Sequence, residues 1–277
     1  MEQQTLGLVL STGARSDVGS RRAVNEDSML VADPIYAVAD GMGGHAAGDL
    51  ASQAAVLQLR TIAGLAEATV ALLQSALDDA QRSVRVISDA NTRGAGTTVT
   101  GVVSAVHDGE PHWILFNVGD SRVYRLRRGE LVQLSHDHSL AQQLVDSGAM
   151  SAADVGSYVG RNVITRAVGS DDSPADISLY PIQLGERLLV CSDGLTTEVT
   201  DAAIGELLGA HPQAQSAADA LVARAILNGG RDNVTAVVID VVSGAPADAP
   251  AGPVETGPPA DSDVDEDTIE TVRTRGV

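Results

Sequence analysis

The sequence predicts a layered α+β domain in which a mostly antiparallel sheet is bracketed by helices. Apolar, β-branched runs follow one another across short turns from residue 97 to residue 134, the pattern of a meander. Two helix-length stretches precede that meander and two follow it. The helices are therefore grouped around the strands rather than alternating with them, which argues against a doubly wound parallel sheet. With 44% hydrophobic residues the 277-residue chain can bury a real core, in one large domain or two small ones.

Taken in order, residues 5–15 read as strand and Ser16-Asp17-Val18-Gly19 as a turn into a crowded polar stretch, residues 21–28. Apolar residues 29–32 lead to Asp33-Pro34, a turn signal. Residues 35–39 form a short strand apolar on both faces, expected to end on Asp40. Gly41, Gly43 and Gly44 then let the backbone bend tightly or approach a ligand, His45 follows, and a helix starts where the glycines stop. Helices over 47–66 and 69–89 carry Leu57, Leu65, Val70, Leu73, Leu77, Val84 and Ile87 at core-stripe spacing.

Strands are expected over 97–106, 113–118, 121–126 and 131–134, with Asp108-Gly109 and Arg128-Gly129 as turns. Residues 135–160 change character: His136, Asp137 and His138 lead into a short helix-prone run, a Gly148 stop and a small polar stretch, as in an insertion or lid. Strands at 177–179 and 188–190, helices at 202–208 and 217–227, and a strand at 234–242 complete a domain placed at residues 1–243. Residues 244–277 are rich in Pro, Ala, Gly and acids, cannot offset the entropy of ordering, and are expected to form a disordered tail.

The functional signal is a repetition. Apolar runs close on Asp40, Asp120 and Asp193, each with a glycine beside it, while Asp232 precedes the run 234–239. Antiparallel neighbours would bring all four to one edge. Composition narrows the partners. The formal charge is −19, and 29 acids face 16 basic residues before residue 244, so the domain itself is acidic. Without a basic stripe, and with aromatics at 2%, neither nucleic acid nor an anionic membrane is an expected partner. One cysteine forbids an intrachain disulfide, and no segment reads as a signal peptide or a membrane span, so a cytoplasmic chain is expected.

Carboxylates crowded at one edge repel unless protonated or bridged by metal, and hard oxygen ligands select Mg²⁺, Mn²⁺ or Ca²⁺. Two such ions roughly 3.5–4 Å apart can hold a hydroxide and lower its pKa toward about 7, a nucleophile that needs neither Ser nor Cys. A phosphate ester is the substrate such a site expects. Arg22 supplies a fork to orient the phosphate, and His45 a proton for the leaving alkoxide. Cys191 lacks the arginine that thiol phosphatases carry six residues on, where this chain has Thr197, so it reads as a buried strand residue. His136 and His138 read as structural or lid residues.

The segments Arg22-Ala23-Val24-Asn25-Glu26-Asp27, Asp40-Gly41-Met42-Gly43-Gly44-His45, Gly96-Thr97-Thr98, Gly119-Asp120-Ser121-Arg122, Ser192-Asp193-Gly194-Leu195 and Asp232-Asn233-Val234-Thr235 stand in this order. Over residues 5–242 the chain thereby resembles the metal-dependent serine/threonine protein phosphatases of type 2C, in their compact bacterial form. The resemblance implies a four-layer αββα sandwich, two antiparallel sheets flanked by helix pairs, with a binuclear Mn²⁺ or Mg²⁺ centre at one end. It implies Asp40, Asp193 and Asp232 as ligands, with Asp40 bridging and the Gly41 carbonyl on the second ion. Asp120 and Asp193 would offer a weaker third site. Asp27 would hydrogen-bond metal-bound water, Arg22 would hold phosphate and His45 would be the general acid. Residues 135–160 correspond to the family's flap, although Gly156-Ser157-Tyr158-Val159 departs from its usual sequence there.

The function expected is hydrolysis of phosphoserine and phosphothreonine in proteins by a monomer that opposes a bacterial Ser/Thr kinase and has phosphorylated proteins, that kinase among them, as partners. The alternatives are a non-catalytic metal-binding phosphoprotein regulator and a narrow-specificity phosphatase of anti-sigma-factor antagonists. The threonines set among acids near the end of the chain suggest a phosphoregulated or docking tail.

Overall fold

The computed structural model describes residues 2–5, 7–43, 47–92, 94–171, 173–248 and 252–254. Its strands are β1 (Glu2–Thr5), β2 (Leu8–Asp17), β3 (Asp27–Ala32), β4 (Ile35–Gly43), β5 (Ala95–Thr97), β6 (Val99–His107), β7 (Glu110–Val118), β8 (Arg122–Arg127), β9 (Glu130–Gln133), β10 (Asp176–Pro181), β11 (Arg187–Cys191) and β12 (Val234–Ser243). The helices are α1 (Ala47–Leu59), α2 (Val70–Asp89), α3 (Leu140–Asp146), α4 (Asp193–Thr196), α5 (Asp201–Ala210) and α6 (Ala214–Asn228). One sheet runs β1-β2-β12-β11-β8-β9 and the other β10-β7-β6-β4-β3, with β5 paired to the end of β4.

Strand periodicity shows how the layers stack. On β4, Ile35, Ala37 and Ala39 pack with Leu73, Ala80 and Val84 of α2, while Tyr36 and Val38 meet Val237 and Ile239 of β12. On β12 the alternate residues Val234, Ala236 and Val238 pack with Ile204 of α5 and Leu221 of α6. Three apolar seams thus separate four layers, in the expected αββα order. Both faces of the central strands are buried, which is why they read as continuous apolar runs. Each fully buried Val, Leu or Ile in such a seam contributes about 1.5–3 kcal/mol.

Several boundaries differ from expectation, each for a local reason. β4 does not stop at Asp40 but continues to Gly43, because Gly41, Met42 and Gly43 pair with Thr97, Gly96 and Ala95 of β5. The expected run 97–106 is correspondingly broken at Thr98, between β5 and β6. β2 carries through Asp17, so the turn begins later than Ser16. α1 ends at Leu59 and a 3₁₀ turn, Arg60–Ile62, follows. Leu57 is 63% exposed rather than in the core; α1 packs instead through Ala51, Ala55 and Leu59, whose small members let it lie close to the sheet. α2 starts at a Thr69 cap whose side chain accepts from Leu72 N at 3.2 Å.

The lid closes on itself at 139–164 rather than 135–160. Ser139 bridges Ile164, and Thr165 N donates to His138 O at 2.8 Å, which leaves His136 to His138 at its base. β12 ends at Ser243, but the chain beyond does not leave the domain there. Leu184 N donates to Pro246 O at 2.8 Å, Arg127 donates to Ala247 O at 2.5 Å, Arg128 bonds Asp248 at 2.7 Å, and Val254 N reaches Leu179 O on edge strand β10 at 2.8 Å. Two arginines and an unpaired strand edge offset ordering entropy that composition alone could not. Residues 255–277, which include the threonines among acids, lie outside the described residues.

Candidate active site

The five expected aspartates meet at one end of the sandwich. β3 and β4 pair so that Asp27 stands opposite Asp40. Asp193 opens α4 just past the end of β11, Asp232 sits in the loop before β12, and Asp120 follows β7. Asp40 feels the charges of Asp27, Asp193, Asp120 and Asp232 together.

The frame around them is built by hydroxyls and amides. Thr98 N donates to Asp40 O at 2.9 Å, and Thr98 Oγ1 accepts from Asp40 N at 3.0 Å while lying 2.8 Å from Ser121 Oγ. Asp27 Oδ2 accepts from Ser192 Oγ at 2.8 Å and from Thr235 Oγ1 at 2.7 Å, so one buried carboxyl joins β3 to both neighbouring motifs. Asn233 accepts from Glu26 N at 2.8 Å and donates to Val18 O and Val24 O at 2.9 and 3.0 Å. These bonds tie the loop that carries Arg22 to the start of β12. Gly41 is required by closeness: a Cβ there would overlap the Gly48 carbonyl in the first turn of α1.

Electrostatics mark the cluster as unfinished. Burial, opposed by its two hydroxyl donors and reinforced by Asp193 and Asp232, pushes Asp27 up to about 7. Burial with Asp193 and Asp137 nearby pushes Asp120 up to about 8. Asp40 is held well above the carboxylate range by burial and by its four acidic neighbours, and Asp193 is raised by burial and Asp232. Oδ1 of Asp27 and Oδ1 of Asp120 are buried with no hydrogen-bond partner.

Unpaired carboxylate oxygens, an all-oxygen donor set and mutual repulsion are what hard divalent cations relieve, so these residues fit such ions. Among the described residues no three His, Cys, Asp or Glu side chains enclose a point as a ready-made cage.

Arg22, expected to hold phosphate, donates to Asp232 Oδ2 at 2.7 Å with its side chain 48% exposed. It therefore stands at the rim with the cluster on one side and solvent on the other. His45 lies outside the described residues. A cavity of about 440 Å³ opens beside the cluster, lined by Asp120 and Asp193 on one side and by Gln142, Val155 and Arg161 of the lid on the other. Cys191 is fully buried and burial pushes its thiol up to about 12, as expected of an inert strand residue. Sequence reasoning assigned no role to Thr98, Ser192, Asn233 or Thr235; the available signal was that each belongs to one of the quoted motifs.

Comparison with known proteins agrees with this fold. Residues 19–221 match the family described as protein phosphatase 2C. The chain is 38% identical over 241 residues to the serine/threonine protein phosphatase PstP of Mycobacterium tuberculosis, covering 85% of this chain and 46% of that protein, so it spans about half the length of that relative. It is 35% identical to the serine/threonine phosphatase stp of Listeria innocua, with 82% of this chain and 94% of that one covered. The crystal structure of the PstP catalytic domain in complex with two manganese ions superposes with a TM-score of 0.78 at 36% identity, over 85% of this chain and all of that one. The chain belongs to the protein phosphatase 2C family.

Proposed function

We propose that this chain is a metal-dependent protein-serine/threonine phosphatase with Mn²⁺ or Mg²⁺ as its ions, held by Asp40, the Gly41 carbonyl, Asp193 and Asp232. Asp120 and Asp193 form a third, weaker position. The observation that carries the reading is the convergence of five aspartates, with buried oxygens of Asp27 and Asp120 lacking any partner. Bound ions supply Lewis acidity, which lowers the pKa of water and neutralises phosphoryl charge.

The chain's own residues do the rest. Asp27 keeps Oδ1 free to hydrogen-bond water while Ser192 and Thr235 fix its other oxygen. Arg22, on the solvent side of Asp232, exchanges that carboxylate for a phosphoryl group with the same fork. His45, next to the glycine cluster, donates to the leaving seryl or threonyl oxygen. Phosphorylated proteins are the substrates, which the relatives' names as serine/threonine phosphatases support, and the reading extends to a monomer acting in cytoplasmic signalling opposite a bacterial Ser/Thr kinase.

The test is hydrolysis of a phosphothreonine peptide by the purified chain with EDTA, Mg²⁺ or Mn²⁺, beside Asp193→Asn. Activity restored by metal and lost in the variant is expected. Metal binding without turnover would establish a phosphoprotein regulator instead, and turnover indifferent to EDTA would overturn the site.

A further inference from the structure

We propose that His138 is a positioning residue that fastens the Gly119-Asp120 turn, and through it the Asp120 carboxylate, to the base of the lid. His138 is 4% exposed and holds Gly119 at two points. Its backbone N donates to Gly119 O at 2.9 Å, and its ring Nδ1 accepts from Gly119 N at 3.1 Å. Both backbone polar groups of Gly119 thus bond His138.

An accepting Nδ1 places the proton of the neutral ring on Nε2, which faces Asp176 Oδ2 of β10 at 3.0 Å. Arg166 donates to the other oxygen, Asp176 Oδ1, at 2.8 Å and lies 3.1 Å from Nε2, which holds that carboxylate in place as the acceptor. The His138 carbonyl accepts from Thr165 N, where the lid returns. Asn117 adds a second tie, donating to Gly119 O at 3.0 Å and His136 O at 2.8 Å.

The opposite side of the turn is closed by packing. Gly119 has φ +110° and a Cβ there would overlap Thr98, the same Thr98 that holds Asp40. The turn is therefore wedged between Thr98 and His138. Asp120 Oδ1 has no hydrogen-bond partner of its own, so the backbone of the turn determines where that oxygen points.

This inference rests on the reading of Asp120 as a cation ligand, and its test separates the two. His138→Leu removes both ring bonds, His138→Asn places an amide oxygen where Nδ1 stood, and Asp176→Ala removes only the outer partner. In the full chain without metal, hydrogen exchange of a peptide spanning 117–122 is measured for each. In parallel, the Mn²⁺ concentration giving half-maximal phosphopeptide hydrolysis is measured, with KM for the peptide.

For His138→Leu, loss of a buried hydrogen bond worth about 1.4 kcal/mol corresponds to roughly tenfold faster exchange and tenfold more Mn²⁺. KM is expected to stay unchanged, His138→Asn to recover most of both losses, and Asp176→Ala to lie between. Wild-type exchange in a folded His138→Leu, or His138→Asn no better than leucine, would overturn the proposal. Should His138→Leu fail to fold, wild-type exchange in Asp176→Ala would do so. Should no variant and no wild type hydrolyse the peptide, the exchange arm still decides.

Discussion

Asp27 and Asp120 keep protons that they would lose in water, and this has a measurable sign. Both carboxyls are raised in the folded chain, to about 7 and about 8, against roughly 3.9 when unfolded. The folded state therefore binds more protons across that interval, and stability falls as pH rises through it. Thermal unfolding without metal is expected to show a melting temperature that declines between about pH 5 and pH 8, and saturating Mn²⁺ should flatten the decline. By the same argument Asp120→Asn should raise the melting temperature of the metal-free chain while lowering activity, a trade common where function stores repulsion. At Arg22 the expectation is opposite in kind: Arg22→Ala lowers kcat/KM for a phosphopeptide by about 10²-fold, as loss of a preorganised donor does. A melting temperature within a few degrees of wild type would separate that effect from misfolding. Asp40, Asp120, Asp193 and Asp232 were legible because each abuts an apolar run. The support of Asp27 was not, since its donors Ser192 and Thr235 lie 165 and 208 residues away, and only strand order brings them together.

Individual elements set the site's geometry by closeness. β4 runs past Asp40 as far as Gly43, and Gly41 lets α1 start against it. Gly41→Ala is therefore expected to destabilise by about 1–3 kcal/mol through overpacking, read as a lower denaturation midpoint. Thr98→Val keeps the shape but strands the Asp40 N–H, at a cost of about 1–3 kcal/mol. That variant should lose metal affinity as well as stability, which calorimetric Mn²⁺ titration would show. Strands were readable where both faces are apolar, as in β6, β7, β11 and β12. They were misjudged where glycine continues a strand, because Gly41 and Gly43 carry the same local signal in a turn and in a strand pressed against a helix. The break at Thr98 was invisible for a related reason: a threonine in a β-branched run betrays nothing of the backbone bond it makes elsewhere.

For the whole molecule, three apolar seams hold four layers, and the carboxylate end is left as the one crowded with like charge among the sites described above. Metal should therefore report on the whole fold: Mn²⁺ at a hundred times its dissociation constant adds about 2.7 kcal/mol, a rise of roughly 5–10 °C for a domain of this size. That helices flank an antiparallel sheet was legible from their grouping around a meander, and the four-layer order from the family resemblance, whereas the path beyond Ser243 was not legible, because its hold depends on Arg127 and Arg128 and on the edge of β10. That last contact has a consequence for solubility. β10 is the outer strand of its sheet, and Val254 caps the Leu179 carbonyl there, so the segment works as a guard against strand addition from another molecule. A chain cut after Asp248 should self-associate on concentration, visible by light scattering, and a charged residue in place of Ser178 should return it to the dispersed state.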